Sequence, residues 1–222
     1  MATQPNYKGA LTQYMTHPEE WTYHIPEGMT TMEGALVEPA AVGMHAAVLG
    51  GAQPGKSIVI LGGGTIGLMV LQACISLGAT DITVVDVIEK RLELAKKLGA
   101  ARVINGKEED TVAVLRSEEM YGDHGVDLVF EAAGAVFTAQ QAVQIVSRGG
   151  KIMMVGTQSK PVPIDFLKIN REVTIQTSFR YCNNFPQTIE AISSGRFNVK
   201  DMVTNIYDYE DVQKAFEEAI DL

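Results

Sequence analysis

Cysteine is nearly absent: Cys74 and Cys182 are the only two in 222 residues. Two thiols cannot build a disulfide framework or a Cys-based zinc cage, and without secretory features they fit a reducing compartment. Tryptophan occurs once, and aromatics make up 7% of the chain. Positive charge is also short. Eighteen Lys and Arg against 27 Asp and Glu leave −9 at pH 7, which excludes sequence-independent binding to nucleic acid or an anionic membrane surface. No apolar run approaches the ~20 residues that span a bilayer. The first residues, Met1 to Asn6, lack the charged and apolar regions of a signal peptide, so a cytoplasmic location is expected. His17, His24, His45 and His124 show no metal-ligand spacing, and neither H-E-x-x-H nor G-x-S-x-G occurs. No internal repeat or low-complexity tract is present.

Hydrophobic residues are plentiful at 46%, and a chain of this length buries roughly 70–75% of its unfolded surface. From Ser57 onward, β-branched runs alternate with helical patterns. Strands are expected at Ser57–Leu61, Asp81–Asp86, Arg102–Asn105, Val126–Glu131 and Lys151–Val155. Helices are expected at Thr65–Leu77, Ile88–Leu98, Glu108–Tyr121 and Val136–Val146, the first two stopped by Gly78 and Gly99. Repeated strand–helix–strand units with short connections specify a Rossmann-type, doubly wound parallel α/β sheet. Glu172–Thr177 alternates polar and apolar residues and reads as a sixth strand, at an edge. A final helix is expected with Asp208 as its cap, Asp211 three residues on, and Val212, Ala215, Phe216 and Ala219 as its apolar stripe. Residues before Met44 are interrupted by Pro5, Pro18, Pro26 and Pro39 and do not follow the α/β pattern. The expected division is therefore 1–43 as a remnant of another domain, 44–204 as the α/β domain and 205–222 as a helix leaving it.

Gly62-Gly63-Gly64-Thr65-Ile66-Gly67 fits G-x-G-x-x-G between a strand and a helix. The first glycine permits the tight turn, the second lets the backbone approach a pyrophosphate, and the third lets helix and sheet pack closely. Asp86 ends the second strand 19 residues after Gly67, where a carboxylate receives the hydroxyls of an adenosine ribose. The same carboxylate repels a 2′-phosphate, and Val87 and Ile88 bring no cation, so NAD is favoured over NADP. Arg91 reads either as a solvated helix residue or as a cation that swings toward such a phosphate.

Leu36-Val37-Glu38-Pro39-Ala40-Ala41-Val42-Gly43-Met44-His45-Ala46 resembles the segment entering the cofactor domain of zinc-dependent, medium-chain alcohol dehydrogenases. Ser178-Phe179-Arg180-Tyr181-Cys182-Asn183-Asn184 and Asn198 to Thr204 resemble the sorbitol (polyol) dehydrogenase branch, with Phe179-Arg180-Tyr181 the most branch-specific. The resemblance implies oxidation of a polyol's secondary alcohol to a ketone by hydride transfer to NAD, aided by a catalytic zinc. It places Glu38 beside the zinc and gives Arg180 and Tyr181 contacts to substrate hydroxyls. It lines the NAD site with Ile66, Asp86, Arg91, Val155-Gly156-Thr157 and the Ser178-Phe179 backbone. It also implies that the zinc ligands lie upstream of Met1, that this chain alone holds no zinc and is inactive, and that copies join as dimers or tetramers through the edge strand 172–177. Taken without the resemblance, Glu38 reads as a capping or ion-paired surface residue, and Cys74 as a buried, inert thiol. A catalytically silent, stand-alone NAD-binding module is the alternative reading.

Overall fold

The computed structural model describes residues 9–169 and 171–220. Pro5, the rest of residues 1–8 and the terminal Asp221 and Leu222 lie outside the described residues. Two helices come first, α1 (Thr31–Ala35) and α2 (Val37–Gly50). The α/β series follows as β1 (Ser57–Leu61), α3 (Thr65–Ser76), β2 (Asp81–Asp86), α4 (Glu89–Lys97), β3 (Arg102–Asn105), α5 (Thr111–Leu115), β4 (Val126–Glu131), α6 (Val136–Ile145) and β5 (Val146–Met154). It closes with β6 (Thr174–Thr177), α7 (Phe185–Ser193) and α8 (Val212–Ile220). The six strands lie in the order β3-β2-β1-β4-β5-β6, and every adjacent pair is parallel. This is the doubly wound Rossmann-type sheet that the alternation of patterns predicts.

Strand alternation divides the core into two layers. Ile58 and Ile60 of β1 face one side with Met44, Met69 and Phe130, while Val59 and Leu61 face the other with Leu115, Val129 and Ile152. Both faces of the central strands are thus buried, which is why β1 and β4 read as near-continuous apolar runs. Gly78 (φ 92) and Gly99 (φ 100) end α3 and α4 in the left-handed conformation. In each case the N–H groups of the glycine and of the alanine after it donate to carbonyls of the last turn.

Several boundaries differ from expectation. The helix expected over Glu108–Tyr121 is only Thr111–Leu115. Asp110 starts it by accepting from the Val112 and Ala113 N–H groups, and beyond Leu115 the chain folds back, Tyr121 N–H donating to the Leu115 carbonyl. The strand expected from Lys151 begins at Val146, and Arg148-Gly149-Gly150 forms a bulge inside it: Val126 pairs with Val146, whereas Leu128 pairs with Lys151. β6 starts at Thr174 because Glu172 adopts φ 62, which a strand cannot continue. Asp208 makes no side-chain cap. It precedes a short 3₁₀ turn, Tyr209–Asp211, that leads into α8, and Phe216 on the expected apolar stripe is 65% exposed.

The boundary expected between residues 43 and 44 falls inside α2. This helix lies flat on α3, where a Cβ on Gly43 would overlap the Met69 backbone, and Val37, Ala40, Ala41, Met44 and Ala47 are buried along one face. Pro39 is tolerated because it sits in the first turn, where its missing N–H has no intrahelical partner.

Candidate functional site

The strand order reverses between β1 and β4, so the loops after these two strands part and leave a crevice at the carboxyl edge of the sheet. The glycine turn lies on one side of it. Gly62 (φ 109) donates its N–H to the Val85 carbonyl at 2.8 Å, and a Cβ there would approach the Ala133 nitrogen to 2.8 Å. A Cβ on Gly67 would overlap the Gly62 carbonyl oxygen. Packing inside the chain therefore demands the first and third glycines. Gly64 differs: nothing lies within 4 Å of its Cβ position. α3 begins directly after it without a side-chain cap. The free N–H groups of that first turn and the positive end of the helix thus face open space, as an anion site requires.

Asp86 fastens this turn to β2. Its Oδ2 accepts the Gly63 N–H at 2.7 Å, and its Oδ1 accepts those of Val87 (2.8 Å) and Ile88 (2.9 Å). Arg91, 43% exposed, places Nη1 3.6 Å from Oδ2. Arg91 is half-exposed on α4 and forms an ion pair over the acid. The carboxylate thus accepts three backbone hydrogen bonds, and Arg91 adds an ion pair beyond hydrogen-bond distance.

On the other side of the crevice stands Glu131, fully buried at the end of β4. Its Oε1 accepts from Ala133 N–H (3.0 Å), Gly134 N–H (2.9 Å) and the Thr138 hydroxyl (2.7 Å), and its Oε2 accepts from Gln158 Nε2 (2.7 Å). Its main-chain carbonyl receives the Val155 and Gly156 N–H groups, both at 2.8 Å. One buried acid therefore joins the loop after β4 to the Val155-Gly156-Thr157 turn after β5, and a Cβ on Gly156 would overlap the Gly134 nitrogen. The sequence reading missed Glu131, Gly134 and Gln158. The available signal was an acid closing an apolar strand and followed by Ala132-Ala133-Gly134.

Next along the edge, Ser178 N–H donates to the Met154 carbonyl at 2.9 Å. Its hydroxyl is buried and has no partner among the described residues, and neither has the Gln158 carbonyl oxygen. Buried polar atoms without partners are uncommon. Phe179 is 80% exposed, with the Arg180 guanidinium 5.3 Å from its ring centroid. Arg180 itself holds φ 53, an uncommon conformation for a side chain of this size. Tyr181 packs edge-on against Phe185 at 5.0 Å. Its hydroxyl is held above the ordinary phenol range by burial and by the adjacent Glu38 carboxylate, while Arg180 pulls it the other way. Thr65 and Ile66 open α3 beside Gly64, the former exposed and the latter half-buried.

The cofactor-site candidates thus line one edge, and Glu38 meets Tyr181 across the gap between α2 and the chain after β6. No such gathering is made by the metal-ligating residue types. His45 Nδ1 lies 3.2 Å from Asn184 Oδ1, and burial raises the Cys74 thiol far above its usual range. Among the described residues no group of three or more His, Cys, Asp or Glu side chains is placed to hold a metal ion. These residues by themselves do not fit a catalytic zinc. Nor is any described helix long and apolar enough to cross a membrane.

A glycine turn at the switch point of a six-stranded parallel sheet defines a Rossmann-type fold. Residues 65–194 match the family described as zinc-binding dehydrogenase, and the chain belongs to that family. It is 66% identical over 220 residues to the uncharacterized zinc-type alcohol dehydrogenase-like protein YdjJ of Escherichia coli, covering 99% of this chain and 63% of that one. It is 39% identical over 223 residues to sorbitol dehydrogenase of Bacillus subtilis, covering 99% and 62%. Among solved structures, an Escherichia coli oxidoreductase/dehydrogenase of unknown specificity superposes with a TM-score of 0.96 at 64% identity, over 100% of this chain and 63% of the other. A Sinorhizobium meliloti dehydrogenase bound to NADP superposes with a TM-score of 0.78 at 27% identity, over 82% and 54%. The chain therefore spans about 63% of the length of its curated relatives.

Proposed function

We propose that this chain is the nicotinamide-dinucleotide-binding part of an NAD-dependent polyol dehydrogenase. The enzyme would convert a secondary alcohol and NAD⁺ into a ketone, NADH and a proton. The observation that carries the proposal is the open face of Gly64 beside the uncapped start of α3, with Asp86 at the end of the adjacent strand. A pyrophosphate fits against Gly64 and takes the free N–H groups of Thr65, Ile66 and Gly67. The ribose hydroxyls take the position that Arg91 holds over Asp86, displacing its guanidinium. When bound, the nicotinamide ring supplies the hydride acceptor.

On this reading Val155, Gly156, Thr157 and the Ser178-Phe179 backbone shape the wall beside the ring, and the unpartnered Ser178 hydroxyl is a ready hydrogen-bond donor to it. Glu38 accepts and Tyr181 donates hydrogen bonds at the substrate end, with Arg180 covering it. The likeness to sorbitol dehydrogenase supports a polyol as substrate. The acid at position 86 supports NAD, whereas the NADP-bound relative and the proximity of Arg91 are the arguments on the other side. The exposed outer edge of β6 supports pairing of two copies there.

Calorimetric titration with NADH and with NADPH tests the proposal. NADH is expected to bind more tightly, and Gly64→Ala to lower NADH affinity by at least about tenfold with the thermal midpoint unchanged, because the added methyl occupies ligand space and not protein space. Equal NADH affinity in Gly64→Ala would remove the turn from the site. Tighter NADPH binding would overturn the NAD assignment.

A further inference from the structure

At the end of the sheet opposite the glycine turn, where α6 passes into β5, a groove of about 660 Å³ is lined by Arg116, Arg148, Lys168 and Arg171, with Asp123 as its only carboxylate. Four cations gathered around one acid stand out in a chain of net charge −9.

Arg116 is fixed in place. Its Nε donates to the Gln144 carbonyl (3.0 Å), its Nη2 to that of Val146 (3.1 Å), and its Nη1 to those of Gly122 (3.3 Å) and Asp123 (3.2 Å). Every hydrogen-bond partner is a neutral carbonyl, so its geometry is set without an ion pair at contact distance among the described residues. Burial and the charge of Arg171 hold Arg116 below the ordinary guanidinium range, and Asp123 acts in the opposite sense. Arg148, Lys168 and Arg171 are exposed, and none makes a side-chain hydrogen bond or an ion pair among the described residues. The Gly149 N–H donates to the Arg171 carbonyl at 2.9 Å. The β5 bulge that carries Arg148 is thereby tied to the segment that carries Arg171. Val143 and Val173 complete the groove with apolar walls.

Four cations around a single carboxylate leave an excess of positive charge in the groove, and a bound anion would offset it. We propose that this groove binds a small, multiply charged phosphate-bearing anion, with Arg116 as the fixed floor and Arg148, Lys168 and Arg171 closing on the phosphate oxygens. Guanidinium forks match phosphate oxygens two at a time, and the groove has room for more than one phosphate group or for an organic body along the valine walls. It opens away from the carboxyl edge of the sheet, so its occupant and a dinucleotide bind without competing.

The test is calorimetric titration of the 222-residue chain with sodium pyrophosphate at constant ionic strength, alongside Arg148→Ala/Arg171→Ala, Lys168→Ala and Gly64→Ala variants. The replaced cations are exposed and support no core contact, so unliganded thermal midpoints are expected to be unchanged. Saturable binding is expected, weakened at least about tenfold in the double variant and less in Lys168→Ala, with Gly64→Ala as wild type. Equal affinity in the double variant, loss confined to Gly64→Ala, or equally tight binding of sulfate would each overturn the proposal.

Discussion

Glu38 and Tyr181 lie 143 positions apart and meet at one point, where the carboxylate changes the chemistry of the phenol. The carboxylate adds to burial in raising the Tyr181 hydroxyl, by making a second negative charge beside it unfavourable. Glu38→Gln removes that charge and leaves the packing against Phe185 in place. Ultraviolet difference titration, with a Tyr181→Phe variant to identify the signal, is expected to show Tyr181 ionising at lower pH in Glu38→Gln. An unchanged titration would mean that the two groups do not face each other in solution. The glycines divide in a comparable way at this scale. Gly62 and Gly67 are required by protein atoms around them, whereas Gly64 faces emptiness, and only the last of these distinctions speaks of a ligand.

Among the elements, the loops after β4 and β5 depend on Glu131. Replacing it with alanine strands three donors, those of Ala133, Gly134 and Gln158, while the Thr138 hydroxyl keeps the Ala135 carbonyl, and is expected to destabilise the chain by about 3 kcal/mol or more in urea unfolding. Glu131→Gln is expected to be milder, because Gln158 can turn its amide and offer the oxygen that now has no partner. Equal losses for the two variants would show that charge, not hydrogen-bond count, matters there. At the other end of the chain, α1 is started by a reciprocal cap. The Thr30 hydroxyl (2.7 Å) and N–H (2.8 Å) both donate to Glu33 Oε2, and the Glu33 N–H donates back to the Thr30 hydroxyl. These bonds, aided by Lys200, hold Glu33 below the usual carboxylate range. A lowered folded-state value means stability that is complete above the unfolded value and is lost as pH falls through the folded one. Thr30→Ala is expected to lower the thermal midpoint by about 2–4 °C at pH 7, with the gap to wild type narrowing in acid. A gap constant down to pH 3 would count against the carboxylate's part in the cap.

For the whole molecule, the open question is how the sheet ends. β6 pairs with β5 on one side only, and Ile175 is 36% exposed. A free apolar-containing edge is a template for another strand, which supports the proposal that two copies pair there. Ile175→Lys is expected to shift the mass measured by light scattering toward the monomer, and an unchanged mass would sink the pairing. Trp21, Tyr23 and Ile25 are likewise exposed, with Tyr23 stacked on Phe185 at 5.5 Å. This apolar surface lies on the same side as Tyr181, which packs edge-on against the same Phe185.

The doubly wound parallel sheet followed from sequence because the central strands are buried on both faces and read as apolar runs, and because Gly78 and Gly99 mark the ends of α3 and α4. The G-x-G-x-x-G turn and Asp86 were legible for the same reason: they depend on residues close together in the chain or at the end of a recognisable strand. The longer α2 was missed although Val37, Ala40, Ala41, Met44 and Ala47 repeat with helical spacing, because Pro39 suggested an interruption that the first turn of a helix does not suffer. Glu131 as the link between two loops, the Arg91–Asp86 ion pair, the Glu38–Tyr181 contact and the cationic groove were decided only by tertiary structure. Each joins segments that no local pattern relates, and it is the folded sheet, by laying the ends of distant strands side by side, that sets which charges and hydrogen-bonding groups meet.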